Sequence, residues 1–103
     1  MLLASIDQIP NKDFEVLGLV QGNTVQAKDI GKDIIAGLRN LVGGEVSEYT
    51  DMLKEARQVA ADRMINEAEK LGADAILGVR FASADIVNGA AEVLAYGTAI
   101  KMK

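Results

Sequence analysis

The sequence predicts an α+β fold in which an antiparallel sheet packs on one short and one long helix. Three observations predict it: apolar residues recur every three or four positions from residue 47 to residue 71, apolar runs flank this segment, and an Asn-Gly pair divides the last run. The chain has 103 residues, a length that suits one hydrophobic core. We therefore expect a single domain over residues 1–103.

The first strands of the sheet are predicted in residues 13–26, DFEVLGLVQGNTVQ. The apolar residues of this segment are interrupted by Gly18, Gly22 and Asn23, residue types that favour a turn or a β-bulge. We expect a strand, then a turn or bulge, and then a short second strand.

Two helices are predicted in the middle of the chain. Residues 29–44 carry apolar side chains at helical spacing, and Gly43 and Gly44 stand where this short helix should stop. The long helix covers residues 47–71 and is closed by Gly72 at its C′ position. The stretch LVGGEVSEYTDMLKEAR is therefore predicted to join two helices.

The C-terminal part of the chain is predicted to form an antiparallel hairpin. Residues 74–85 and 90–103 are the two strands, and Asn88-Gly89 favours a two-residue turn because both residues tolerate positive φ. With these two residues at the centre of the turn, Phe81 is expected opposite Tyr96.

Both faces of the last strand are apolar. In residues 94–102, larger apolar side chains alternate with alanine and glycine, so neither face is suited to water. One face is expected to pack on the long helix and the other on a neighbouring subunit. We expect this strand and the glycine-rich first strand, with Gly18 and Gly22, to mediate self-association.

Composition and charge exclude several classes of function. The net charge is −4, and the scattered Lys and Arg residues form no basic stripe for nucleic acid. The chain has no cysteine and no histidine, which excludes disulfides, thiolate nucleophiles, Cys/His zinc sites and imidazole acid–base chemistry. We predict no catalytic residue and no cofactor. Without a signal pattern or an apolar run of about 18 residues, a cytoplasmic chain with no membrane partner is expected.

A set of residues spread along the chain forms an ordered pattern: Gly43-Gly44, Tyr49, Ala56-Arg57, Ala60, Ala68, Leu71-Gly72-Ala73-Asp74-Ala75, Gly78 and Gly97-Thr98-Ala99. In this order and spacing the chain resembles, from about Phe14 to Met102, the YbjQ-like family. These small bacterial and archaeal proteins carry a heavy-metal-binding label. The resemblance implies a two-layer α+β protomer that assembles into a ring-like homo-oligomer, most often a pentamer, and it implies no established activity.

The metal label finds few suitable ligands in this sequence. Soft heavy-metal ions prefer thiolate, thioether or imidazole ligands, and the chain offers only four methionines, of which Met52 and Met64 are expected in the core. Hard cations are an alternative, because Glu45, Glu48 and Asp51 supply carboxylates near the start of the long helix. The competing interpretation is a solvated acidic face at a helix N-terminus, and we predict no metal site.

Other residues are candidates for a ligand site or an interface. Gly43 and Gly44 with Arg39 could hold an anion, although the G-x-x-x-x-G-K-[ST] phosphate loop is absent. Arg80 lies in an apolar strand and is either a pocket charge or an arginine paired with a carboxylate such as Glu92. Further candidates are Tyr49, Gly97 and Thr98.

Two functional hypotheses follow from this sequence. In the first, the protein is a non-enzymatic, homo-oligomeric binding or assembly module whose partner is itself and whose small ligand or ion is unknown. In the second, it binds an ion or small molecule, with weak hydrolytic activity as one form of that function. Its pocket would then be shared between subunits and lined by Arg39, Glu45, Tyr49 and Arg80.

Overall fold

The structure, a computed structural model, describes residues 1–27, 47–87 and 89–103 and has an α+β fold. In the described part of the chain a four-stranded sheet packs on one helix, and the short helix predicted over residues 29–44 lies outside it. The elements in chain order are β1 (Leu2–Leu3), β2 (Phe14–Ala27), α1 (Ser47–Lys70), β3 (Ala75–Val87) and β4 (Ala90–Met102).

The sheet is mixed rather than purely antiparallel. Its strand order is β1-β3-β4-β2, with β4 antiparallel to both β2 and β3, while β1 runs parallel to β3 through the pair Leu2↔Ala75. The antiparallel expectation was therefore wrong at this edge. A strand of two residues is too short to show the alternation by which strands are recognised in a sequence.

The first predicted strand is one continuous strand with a bulge. All of β2, Phe14–Ala27, pairs with β4, and the register shifts by one residue between Val16 and Gly18. The predicted bulge is confirmed, and the alternative of a turn followed by a short strand is wrong. Gly18 has φ +141°, a backbone conformation that favours glycine.

The C-terminal hairpin is confirmed, although its register differs from the expected one. Val87 pairs with Ala90 across the two-residue connection. Between Asp85 and Val87, β3 contains one residue more than the paired part of β4, so the register shifts by one residue. Phe81 therefore lies opposite Ala95, and Arg80 lies opposite Tyr96. An extra residue in one strand shifts all later pairs, and this sequence gave no sign of it.

Helix α1 ends within one residue of the predicted position. Gly72 has φ +78°, its backbone N–H donates to the Glu69 carbonyl, and the Ala73 N–H donates to the Ala68 carbonyl, at 3.0 and 3.1 Å. This pair of bonds is the Schellman motif, in which a left-handed residue satisfies the last carbonyls of a helix.

The main core lies between α1 and one side of the sheet, the helix side. The helix crosses β2 and β4, and at Gly22 its backbone comes so close that a Cβ atom would overlap the Ala60 carbonyl oxygen and the Met64 nitrogen. Small residues on both layers permit this approach. The buried core residues are Val20, Ala56, Ala60, Met64, Ala68, Ile76, Val93, Ala95 and Ala99.

A second, smaller core lies on the opposite side of the sheet, the distal side. Ala75, Leu77 and Ile100 are buried there. The N-terminal segment covers them at one end of the sheet, through Ala4 and Ile9. The rest of the distal side extends beyond this cover.

Candidate functional site

The junction between the two predicted helices falls largely outside the residues that the structure describes. This holds for Arg39, Gly43, Gly44 and Glu45. The anion and carboxylate hypotheses for this junction remain predictions. Glu48 and Tyr49 belong to the first turn of α1, and Asp51 follows them with an exposed side chain.

Arg80 fastens the N-terminal segment to the sheet. Its Nη1 donates hydrogen bonds to the carbonyl oxygens of Ser5 and Val79, each at 2.9 Å. The expected pairing with Glu92 is wrong, because Glu92 lies opposite Ala84, four residues farther along β3. Arg80 thus has a structural role within the chain, and its place in a pocket shared between subunits stays a prediction.

Gly97 and Thr98 lie on different sides of the sheet. Gly97 is on the helix side and is buried, and a Cβ atom there would come within 2.7 Å of Ile76 Cγ2 and 2.9 Å of the Leu77 carbonyl oxygen. Its small size is thus required within the protomer. Thr98 is half-buried on the distal side, opposite Leu19 on β2 and Leu77 on β3.

The distal side of β2 and β4 carries large apolar side chains that are exposed or, at Leu94, half-buried. We call this surface the open face and define it by Val16, Leu19, Val25, Leu94 and Tyr96. Within the described ranges no segment covers it, and the exposed fractions reach 70% for Leu19, 62% for Val16 and 53% for Val25. Gln21 and Asn23 lie among these side chains, so the face is apolar with polar positions.

The two edges of the sheet differ in which strands form them. Strand β2 is the outer strand along its whole length, and it contains neither lysine nor proline, two residues that commonly protect a sheet edge. The outer side of β3 pairs with β1 and the N-terminal segment only up to Val79. Beyond that residue, no described strand borders the outer side of β3, while β4 continues to pair with its inner side.

A groove of about 700 Å³ lies between β2 and the C-terminal half of α1. Arg63 and Lys70 contribute its cations, and Nη1 of Arg63 donates to the Asn23 carbonyl oxygen at 2.6 Å. Nζ of Lys70 and Oε1 of Glu67, which also lines the groove, form a salt bridge at 3.2 Å, with both side chains largely exposed. Sequence reasoning missed the groove, because its two walls are about forty residues apart in the chain and nothing in the sequence shows that they meet at Gly22.

The four methionines are dispersed over the molecule. Met64 is fully buried and Met52 nearly so, both on α1, whereas Met102 packs on the distal side and Met1 is 46% exposed at the N-terminus. Among the residues that the structure describes, no three Asp, Glu, His or Cys side chains are grouped so that they could hold a metal ion.

No helix in the described part of the chain is both long enough and apolar enough to cross a membrane.

The described fold has a counterpart among solved structures. A protein of unknown function from Pediococcus pentosaceus aligns with a TM-score of 0.67 at 19% identity, covering 100% of this chain and 98% of that one. At this identity the match shows the fold alone.

Relatives of higher sequence identity align along the whole chain. A UPF0145 protein of Pseudothermotoga lettingae is 56% identical over 104 aligned residues, with 100% of this chain and 98% of the relative covered. One from Archaeoglobus fulgidus is 53% identical, covering 100% and 96%. A family model described as "Putative heavy-metal-binding" matches residues 1–103. The chain therefore belongs to the YbjQ family, and these UPF0145 proteins are its relatives.

Proposed function

We propose that this protein is a non-enzymatic assembly module of the cytoplasm, a protomer of a ring-like homo-oligomer. The observation that carries the proposal is the open face. Val16, Leu19 and Val25 are each more than half exposed, and together with Leu94 and Tyr96 they lie on one side of two paired strands. Contiguous exposed apolar patches are uncommon on monomers and mark interaction surfaces.

The partner that fits this face best is a second copy of the chain. An antiparallel sheet tolerates water on one face only when that face is polar, and here both faces carry apolar residues. A neighbouring copy supplies apolar surface of the same kind, and its burial gains about 25 cal/mol for each Å² removed from water.

The two sheet edges favour a ring over a closed pair. The outer edge of β2 and that of β3 beyond Val79, where β1 no longer pairs with it, are different surfaces at opposite edges of the sheet. Contact between unlike surfaces is head-to-tail, and such contacts close into rings when the rotation between neighbours allows it. A pentamer is the closed ring that we propose, and the support for this subunit number is the resemblance to the YbjQ-like family alone.

The test replaces one residue of the open face and a matched residue elsewhere. Leu19→Arg puts a charge on the open face at a position already 70% exposed, so the isolated protomer should fold. Gln58→Arg puts the same charge on the exposed side of α1. By native mass spectrometry, the unsubstituted protein and Gln58→Arg should show the same oligomer, and Leu19→Arg should shift to smaller species. A monomeric unsubstituted protein, or an intact Leu19→Arg oligomer, would refute the proposal.

The groove between β2 and α1 favours a second candidate function, the binding of a small anionic molecule. Arg63 and Lys70 supply positive charge, which the carboxylate of Glu67 offsets in part, and Asn23 and Asn66 lie in the same lining. Its volume of about 700 Å³ is in the range of ligand sites. Leu19 lines the groove and also belongs to the open face, so a neighbouring copy on that face would border the groove.

This second function is tested by what the purified assembly retains. Native mass spectrometry should show an added small mass that is lost in the double variant Arg63→Ala with Lys70→Ala and kept in Lys54→Ala, an exposed lysine outside the groove lining. An assembly of bare chains would speak against a tightly bound ligand and leave the assembly proposal standing.

A further inference from the structure

We infer that the heavy-metal description of the family does not extend to this chain. Soft ions such as Cu⁺, Cd²⁺ and Hg²⁺ are held by thiolates, thioethers and imidazoles. The chain has no cysteine and no histidine, and the four thioethers are its complete set of soft side-chain ligands. All four methionines lie in the described part of the chain, so their positions decide the question.

The two helical methionines are core residues that face no common site. Met64 is fully buried against the small residues of the main core, and Met52 is 5% exposed. They are more than three turns apart, about 18 Å along the helix axis, whereas two sulfur ligands of one ion each lie about 2.3 Å from it. One ion cannot bind both sulfurs, and reaching either would open the core.

The two remaining thioethers do not belong to the helix-side core. Met102 packs with the distal cluster of Ala75, Leu77 and Ile100, on the other side of the sheet from Met64. Met1 is 46% exposed at the chain end. Neither has a thiolate or an imidazole with which to complete a site.

The carboxylates of the described residues do not supply the missing ligands. In the described ranges no three acidic side chains converge, and carboxylate oxygens prefer hard ions such as Mg²⁺ and Ca²⁺ to soft ones. The ligand inventory therefore disagrees with the description that the family carries.

The test compares the intact assembly with a variant that gains soft ligands. Nε2 of Gln58 donates to Oδ1 of Asp62 at 2.9 Å, so these exposed side chains already meet, four residues apart on α1. Replacing both, as Gln58→Cys with Asp62→Cys, places two thiols on one turn under reducing conditions. We expect this variant to retain one Cd²⁺ per chain, with thiolate-to-cadmium absorption and a raised melting temperature.

The unsubstituted protein should show none of these signs. After addition of Cd²⁺, or of Cu⁺ without oxygen, and removal of the excess, its native mass spectrum should contain only bare assembly. Its melting temperature should be unchanged. A retained soft ion, whether one per chain or one per assembly, would overturn the inference. Loss of that ion in Met102→Leu would identify the ligand responsible for the failure.

Discussion

The two sides of the sheet are both apolar, yet they are built from different side chains. On the helix side, β4 contributes Val93, Ala95 and Ala99, all buried under α1. On the distal side, the same strand contributes Leu94 and Tyr96, which retain exposure. The core of the protomer is thus made from the smaller residues of β4, and the larger residues face outward.

This difference shows that residue size alone does not indicate which face of a strand is the core. The side chains on the helix side are small because the backbone of α1 lies close to the sheet. Alanine and glycine permit this short distance between the two layers. Large residues on the helix side would hold the layers apart. The distal side has no such constraint, so it can carry larger apolar side chains for a second partner.

The largest effect is expected where the two layers come closest. In Gly22→Ala the new methyl group would overlap the Ala60 carbonyl oxygen and the Met64 nitrogen, which are backbone atoms and cannot rotate away. Overpacking of this kind costs about 3 kcal/mol or more of unfolding free energy. Urea denaturation followed by circular dichroism should show this loss or a failure to fold.

Gly18→Ala provides the matched control in the same strand. No atom lies within 4 Å of the new methyl group, and φ is +141°, so only backbone strain of about 1–3 kcal/mol opposes the substitution. If Gly22→Ala proved as stable as the unsubstituted protein, the close approach of helix and strand would be wrong, and with it the explanation for the small residues on the helix side.

The second largest effect on the unfolding free energy is expected for Met64→Ala. This substitution removes a large and fully buried side chain from the helix-side core. The lost burial and the resulting cavity should cost about 2–5 kcal/mol. Thermal and urea unfolding should agree on a loss in this range, while Met64→Leu should lose much less because its volume is similar. A loss near zero would show that this side of the sheet is not the main core.

Much of this architecture could be predicted from periodicity and turn residues. The three- and four-residue spacing predicted α1, Gly72 predicted its end, and Asn88-Gly89 predicted the hairpin between the two C-terminal strands. These signals are local, since each depends on residues close in the chain. The apolar character of both faces of β4 was also visible in its alternation.

The features that escaped prediction depend on contacts between distant residues. Strand β1 is formed by the pairing of Leu2 and Leu3 with β3. Position 22 requires glycine because the backbone of α1 lies against it. Arg80 was expected to be a pocket charge or to pair with a carboxylate, and no local signal indicated that it donates to the Ser5 carbonyl oxygen, 75 residues away. Of the candidate site, the sequence indicated a second apolar face but neither the groove nor the extent of exposure at Leu19.

The third prediction concerns Arg80, which holds the N-terminal segment at the end of the distal side. Arg80→Ala removes its bond to the Ser5 carbonyl oxygen, and an exposed bond of this kind contributes about 1 kcal/mol. Faster hydrogen exchange is expected at the Gly78 and Val79 amides, which donate to Ile6 and Ala4. Arg80→Lys should restore part of the protection. Unchanged exchange in Arg80→Ala would show that the segment is held by its apolar contacts alone.

The smallest effect on the isolated protomer is expected for Leu19→Ala, the counterpart of Met64→Ala on the open face. Because Leu19 is 70% exposed, the substitution should change the unfolding free energy of the dissociated chain by no more than about 0.5 kcal/mol. If the open face is an interface, the stability of the unsubstituted protein rises with protein concentration, since association stabilises the folded state by mass action. Leu19→Ala should weaken that rise, which melting curves over a dilution series would measure. A loss as large as that of Met64→Ala at every concentration would mean that Leu19 packs within its own chain, and the contrast between the two sides of the sheet would fail.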